Sequence, residues 1–167
     1  MGALNEFMAT ILSGGGVHSP NRYEVIIPGF GGRDVSLLCE SLTIPGEQIE
    51  TFEYPLNALE HLVKVPNGLI NEDLSCTFIV TNDFNVKAFF DRWRRRIIGT
   101  NYLLNYPASY EVDIIIKALD QQNNPVYSVK LEGAYPITVG AMALSNATSD
   151  EVSRLEITFT FNRLIPQ

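Results

Sequence analysis

The stretch Arg154-Leu155-Glu156-Ile157-Thr158-Phe159-Thr160-Phe161-Asn162 alternates without a break. Leu155, Ile157, Phe159 and Phe161 fall on one side. Arg154, Glu156, Thr158, Thr160 and Asn162 fall on the other. Only a long strand with one dry and one wet face uses such a pattern. A chain that carries it must bury that apolar side in a sheet-based core.

The rest of the chain reads the same way. Arg22–Ile27 is expected as a first strand and Asp34–Glu40 as a second, joined as a hairpin across Pro28-Gly29 and later glycines. Ile49–Tyr54 and Leu59–Val65 are strands stopped by Pro55 and by Pro66-Asn67-Gly68. Together they form a protruding arm of about residues 53–71. Leu74–Val80 alternates again. Tyr110–Leu119 and Val126–Glu132 pair across the polar turn 120–125. Gly133-Ala134-Tyr135-Pro136 then redirects the chain into a short strand, Thr138–Leu144.

Two segments are helical. Leu4–Leu12 has amphipathic spacing and ends at Ser13-Gly14-Gly15-Gly16, within an N-terminal segment, 1–19, expected to be flexible. Val86, Phe89, Phe90, Trp93 and Ile97 recur at helical spacing, which predicts a helix over about 84–98. Asn82 or Asp83 would cap its start and Gly99 its end. The predicted fold is mainly β, a mostly antiparallel sandwich or barrel with one packed helix, in a single domain over 1–167. Residues 163–167 read as a mobile tail.

Composition excludes several classes. The chain has 46% hydrophobic and 19% charged residues, as an ordinary globular domain does. At 167 residues it can bury roughly 70% of its unfolded surface. No apolar run reaches the roughly 20 residues of a membrane helix, and no membrane insertion is expected. The start has no basic residue before its apolar run, which speaks against a secretory signal.

No catalytic constellation accompanies the strands. His18 and His61 lack a nucleophile or carboxylate in an obvious relation, and surface histidines are the expectation. Glu111 and Asp113 share a strand face, where such pairs are solvated charges rather than catalytic partners. The glycine clusters lack the lysine and hydroxyl residue of a phosphate loop. Cys39 and Cys76 read as reduced thiols, able to bridge only if their strands are neighbours. No cofactor or metal is expected.

The net charge of −7 is uneven. Five bases and two acids lie between Asp83 and Gly99, so the remainder carries a balance of −10. An acidic body repels nucleic acid. Arg92, Arg94, Arg95 and Arg96 surround Trp93, which helical spacing turns inward. They are a solvated basic face or a contact for an acidic surface, such as a second copy of this chain.

The ordered motifs resemble the tail tube proteins of contractile-tailed bacteriophages. These motifs are the opening helix followed by Pro20-Asn21-Arg22-Tyr23-Glu24-Val25, then Ser41-Leu42-Thr43-Ile44-Pro45-Gly46, then Phe90-Asp91-Arg92-Trp93. The turn Gly133-Ala134-Tyr135-Pro136-Ile137-Thr138-Val139-Gly140 before the last long strand completes the set. The resemblance implies a non-enzymatic virion protein that is assembled in the host cytoplasm. Hexameric rings, joined by an inter-subunit β-barrel, would stack into a tube that delivers DNA without binding it specifically. Its partners would be further copies of itself and the sheath, baseplate and terminator proteins. The tube of a contractile injection system, or a tube initiator or terminator, is the alternative. An enzyme using His61 and a monomeric ligand-binding sandwich are the rival classes. Candidate lumen-facing residues are Glu111, Asp113, Ser128, Glu132, Glu156, Thr158 and Thr160. Candidate subunit contacts are Arg92, Arg94, Arg95, Arg96, Tyr54, His61, Leu164 and Ile165.

Overall fold

The computed structural model describes residues 2–29, 32–55, 62–145 and 151–167. In chain order its elements are α1 (Gly2–Ser13), β1 (Tyr23–Ile26), α2 (Gly32–Leu37), β2 (Cys39–Thr43), β3 (Glu47–Pro55), β4 (Leu62–Asn71), β5 (Leu74–Ile79), α3 (Asn85–Ile97), β6 (Val112–Leu119), β7 (Pro125–Val139), β8 (Arg154–Thr160) and β9 (Arg163–Pro166). All strand pairings are antiparallel. The mainly β expectation is met.

One long strand organises the molecule. The first half of β7 pairs with β6 on one flank and with β9 on the other, and its second half pairs with β8. Two four-stranded sheets result: a first sheet, β1-β6-β7-β9, and a second sheet, β7-β8-β5-β2. Gly133 lies between the halves with φ +65, next to a register shift. A side chain there would collide with Asn162, so only glycine suits the bend. The expected redirection at 133–136 is therefore a bulge within one strand rather than a strand end. The separate strand Thr138–Leu144 does not form, and β7 stops at Val139. Gly140 donates its N–H to the Glu156 carbonyl at 2.7 Å, too close for a side chain.

The core follows the alternation. Leu155, Ile157 and Phe159 on β8 and Leu74, Cys76 and Phe78 on β5 are buried from the second sheet. Val25, Ile114, Ile116, Val129 and Leu131 come from the first. Helix α3 supplies Val86, Phe89, Phe90 and Trp93. The Phe90 ring lies 5.1 Å from Phe78 and 5.9 Å from Phe159, and Trp93 donates its indole N–H to the Tyr110 carbonyl at 2.8 Å. Each such large side chain contributes roughly 1.5–3 kcal/mol by leaving water. The helix begins where Phe84 turns left-handed and the Asp83 carboxylate accepts the Asn85 N–H.

Two further expectations are corrected. Residues 34–40 do not pair with β1 as a hairpin. The chain forms the short helix α2, and β2 follows it and pairs with β5. Val35 is buried while Leu37 is 79% exposed, so the apparent alternation does not reflect a strand. The Ser36 hydroxyl accepts the Ile27 N–H at 3.0 Å and ties α2 to the end of β1. The C-terminus is not a free tail: β9 pairs with β7 from Glu132↔Arg163 to Val129↔Pro166. Pro66 does not end its strand either. It sits opposite Thr51, and Asn67 is bulged out of the ladder.

Candidate functional site

The two sheets present different outer faces. On the second sheet, cross-strand rows run Thr43–Ser75–Thr158–Thr138 and Ser41–Thr77–Glu156. These hydroxyls are exposed or half-buried, and Glu156 accepts a hydrogen bond from Ser75 at 3.3 Å. Thr160, opposite Tyr135, extends the same face. At its rim Arg154 donates to both carboxylate oxygens of Glu40 from its Nε and Nη2, at 2.5 and 2.9 Å. That hydrogen bonding holds the Glu40 carboxyl below the usual carboxylate range.

The first sheet's face is ion-paired. Lys130 stands between Asp113 at 3.0 Å and Glu132 at 3.3 Å, and Arg163 reaches Glu132 at 3.2 Å. Lys117 faces Glu24 at 3.7 Å. The Lys130 hydrogen bond holds the Asp113 carboxyl low, and the same pair raises the lysine. Asp113 also accepts the Gly133 N–H at 3.3 Å, and Glu111 accepts a weak hydrogen bond from Asn162. A half-buried row, Ile26–Ile115–Lys130–Ile165, crosses this face.

The candidate lumen residues therefore divide. Glu156, Thr158 and Thr160 lie on the hydroxyl-rich face. Ser128 lies with Asp113 and Glu132 on the ion-paired face, and Glu111 precedes β6 beside them. Their simple alternation in the sequence did not reveal this division, because it depends on strand pairing.

The edges of the second sheet are open. Among the described residues, β2 has a ladder partner only in β5. The β7 segment Ile137–Val139 has none on the flank away from β8, because β6 begins only opposite Ala134. Unpaired edges of this kind recruit further strands.

Large apolar side chains are exposed elsewhere. Helix α1 buries nothing, and Leu4, Phe7, Met8 and Leu12 face solvent. The ribbon β3–β4 carries exposed Ile49, Phe52, Tyr54, Leu62, Leu69 and Ile70 on its two faces. An isolated two-stranded ribbon is marginal in water. His61 lies outside the described residues. Leu164 packs against the core and Ile165 is half-buried on the outer face.

Arg92, Arg94, Arg95 and Arg96 are exposed on α3, the last three in its final turn. An open pocket of about 400 Å³ is lined by Arg94, Arg95, Ile98, Gly99, Thr100 and Tyr102. Tyr102 and Tyr106 beside it are 90% and 87% exposed. Among the described residues no group of histidine, cysteine and carboxylate side chains is arranged to hold a metal ion. Also among them, no helix is long and apolar enough to cross a membrane.

Among the described residues, an oily core thus lies behind a hydroxyl face, flanked by unpaired strand edges and exposed apolar segments. The phage tail tube protein family model matches residues 6–166, and the chain belongs to that family. A tail tube protein of Serratia phage KSP90 is 28% identical over 163 residues, covering 92% of this chain and 91% of the relative. The fold is shared with the tube-terminating cap of the anti-feeding prophage, at TM-score 0.69 and 18% identity, covering 90% of this chain and 91% of that one. It is also shared with a chain of the sheath–tube complex of an extracellular contractile injection system, PVC, at TM-score 0.67 and 20% identity. There the match again covers 90% of this chain and 91% of that one. The chain is thus a structural protein of the phage tail tube family, not an enzyme.

Proposed function

We propose that copies of this chain close into hexameric rings by joining β2 of one subunit to the open Ile137–Val139 edge of the next. The rings stack into the inner tail tube through which phage DNA leaves the virion. The open edges at both ends of the second sheet carry this reading. Pairing them completes a barrel and leaves no edge bare.

The hydroxyl-rich face then lines the lumen. Ser41, Thr43, Ser75, Thr77, Thr138 and Thr158 hydrate well and offer DNA phosphates no cation, and Glu156 adds a ring of repelling carboxylates. The first sheet suits a lumen less well, since its face carries the half-buried isoleucine row and three cations, Lys117, Lys130 and Arg163. Glu111, Asp113, Ser128 and Glu132 accordingly serve the subunit's own surface or its outward contacts.

The exposed parts serve stacking and lateral contact. Tyr54 and its ribbon neighbours lose their exposure between copies, as does α1. The arginines of α3 fit an acidic patch, and the ribbon of a second copy offers exposed Glu47, Glu50 and Glu53. Sheath, baseplate and terminator proteins are the expected partners of the finished tube.

Negative-stain imaging of the purified chain tests this directly. Rings or tubes are expected, and they should not shift duplex DNA in a gel at physiological salt. A compact monomer at high concentration, or robust DNA binding, would overturn the reading. The likeness to a tube-terminating cap favours one second reading, a terminator. That role predicts single rings that never polymerise.

A further inference from the structure

The two cysteines, 37 positions apart in the sequence, meet in the fold. Strands β2 and β5 are ladder neighbours, with Cys39 opposite Phe78 and Leu42 opposite Cys76. The bulge between Cys39 and Ser41 adds a residue to β2, so Cys39 and Leu42 both turn inward over Cys76 and Phe78. The two thiols are close enough to act on each other, and neither is in a disulfide. Cys76 is buried and Cys39 is half-buried at the sheet edge. The Tyr23 hydroxyl closes over the pair and donates to the Cys39 and Glu40 carbonyls at 3.1 and 2.6 Å.

The two thiols have unequal characters. The hydrogen bond from Cys76 holds the Cys39 thiol below its ordinary range, with Tyr23 helping. The same hydrogen bond and burial push Cys76 up. Cys39 is thus the more acidic thiol, half-buried at the sheet edge, and Cys76 is the less acidic, buried partner behind it.

We propose that Cys39 and Cys76 form an oxidisable dithiol, a peroxide-responsive clasp that can fasten the edge strand β2 to β5. The Cys39 thiolate attacks one oxygen of hydrogen peroxide. The O–O bond breaks, hydroxide leaves and takes up a proton as water, and Cys39 becomes a sulfenic acid. The Cys76 sulfur then attacks the Cys39 sulfur. The S–O bond breaks, and the second water departs with the Cys76 proton. The two thiols lose two electrons, and the peroxide is reduced to two waters.

The clasp fixes the strand whose outer edge is open. Closing the loop between residues 39 and 76 restricts the unfolded chain more than the folded one.

The test treats the purified full-length chain with a modest excess of hydrogen peroxide, then alkylates it for intact-mass and peptide mapping. The expected result is the loss of two hydrogens and a Cys39–Cys76 cross-linked peptide. The melting temperature should rise by roughly 5–10 °C. Dithiothreitol should reverse both changes, and Cys39→Ser should show neither. Three results would overturn the proposal: sulfinic acid at Cys39 with Cys76 still alkylatable, a disulfide between two chains, or two thiols untouched by peroxide. The wild-type mapping decides the matter even if a cysteine variant folds poorly.

Discussion

Single residues set the shape of the long strand. Gly133 has positive φ, and Asn162 occupies the place where a Cβ would stand. Gly133→Ala should therefore cost about 2 kcal/mol or more, read from urea unfolding. Removing the obstacle as well, in Gly133→Ala with Asn162→Ala, should restore part of that loss, since the two sites are in contact. The carboxylates give a pH signature. Asp113, Glu40, Asp83 and Asp120 are all held low, by Lys130, by Arg154, by the Thr81 hydroxyl and by the Asn124 backbone N–H respectively. A depressed carboxylate stabilises the fold above its unfolded value of about 4, and that stability is lost as pH falls through the lower folded value. Lys130 behaves oppositely. Its raised value keeps its share present below about pH 10.4 and loses it only above. Thermal melts between pH 5 and pH 2 should fall, and Asp113→Asn should flatten the slope slightly, because the pair is solvent-screened.

Elements with strong periodicity were legible from sequence, and those shaped by pairing were not. The stripe Val86, Phe89, Phe90, Trp93 marked α3 because all four side chains enter one core. The alternation of Leu155, Ile157 and Phe159 marked β8 for the same reason. Helix α2 is too short for a helical period to show, and its Val35 and Leu37 mimic strand spacing. Strand β9 looked like a tail because Leu164-Ile165-Pro166 has no alternation long enough to read, yet β7 templates it. The division of the wet faces into a hydroxyl sheet and an ion-paired sheet depends on which strands are neighbours, which a single chain's pattern does not encode. The open edge can be tested on its own. Ile137 falls in the register shift and has no residue opposite it on β8. Ile137→Pro should leave the circular dichroism spectrum and melting of the isolated subunit nearly unchanged while abolishing rings in sedimentation velocity. Normal ring formation by that variant would remove β7 from the proposed seam.

At the scale of the whole molecule, the fold is a wall segment. It keeps its aromatic core to itself and leaves α1, the β3–β4 ribbon and residues 98–106 with apolar side chains in water. Surfaces of that extent are covered in the functional state. In the proposed tube, neighbouring copies of the chain would cover them. The most direct measurement is a high-resolution reconstruction of the assembled chain by electron cryo-microscopy. Hexameric rings are expected, in which β2 hydrogen-bonds to Ile137–Val139 of the neighbouring subunit and Thr43, Ser75, Thr138 and Thr158 face the channel. Rings that turn the Lys130–Asp113 face to the channel, or that leave the β2 and β7 edges unpaired, would contradict this arrangement.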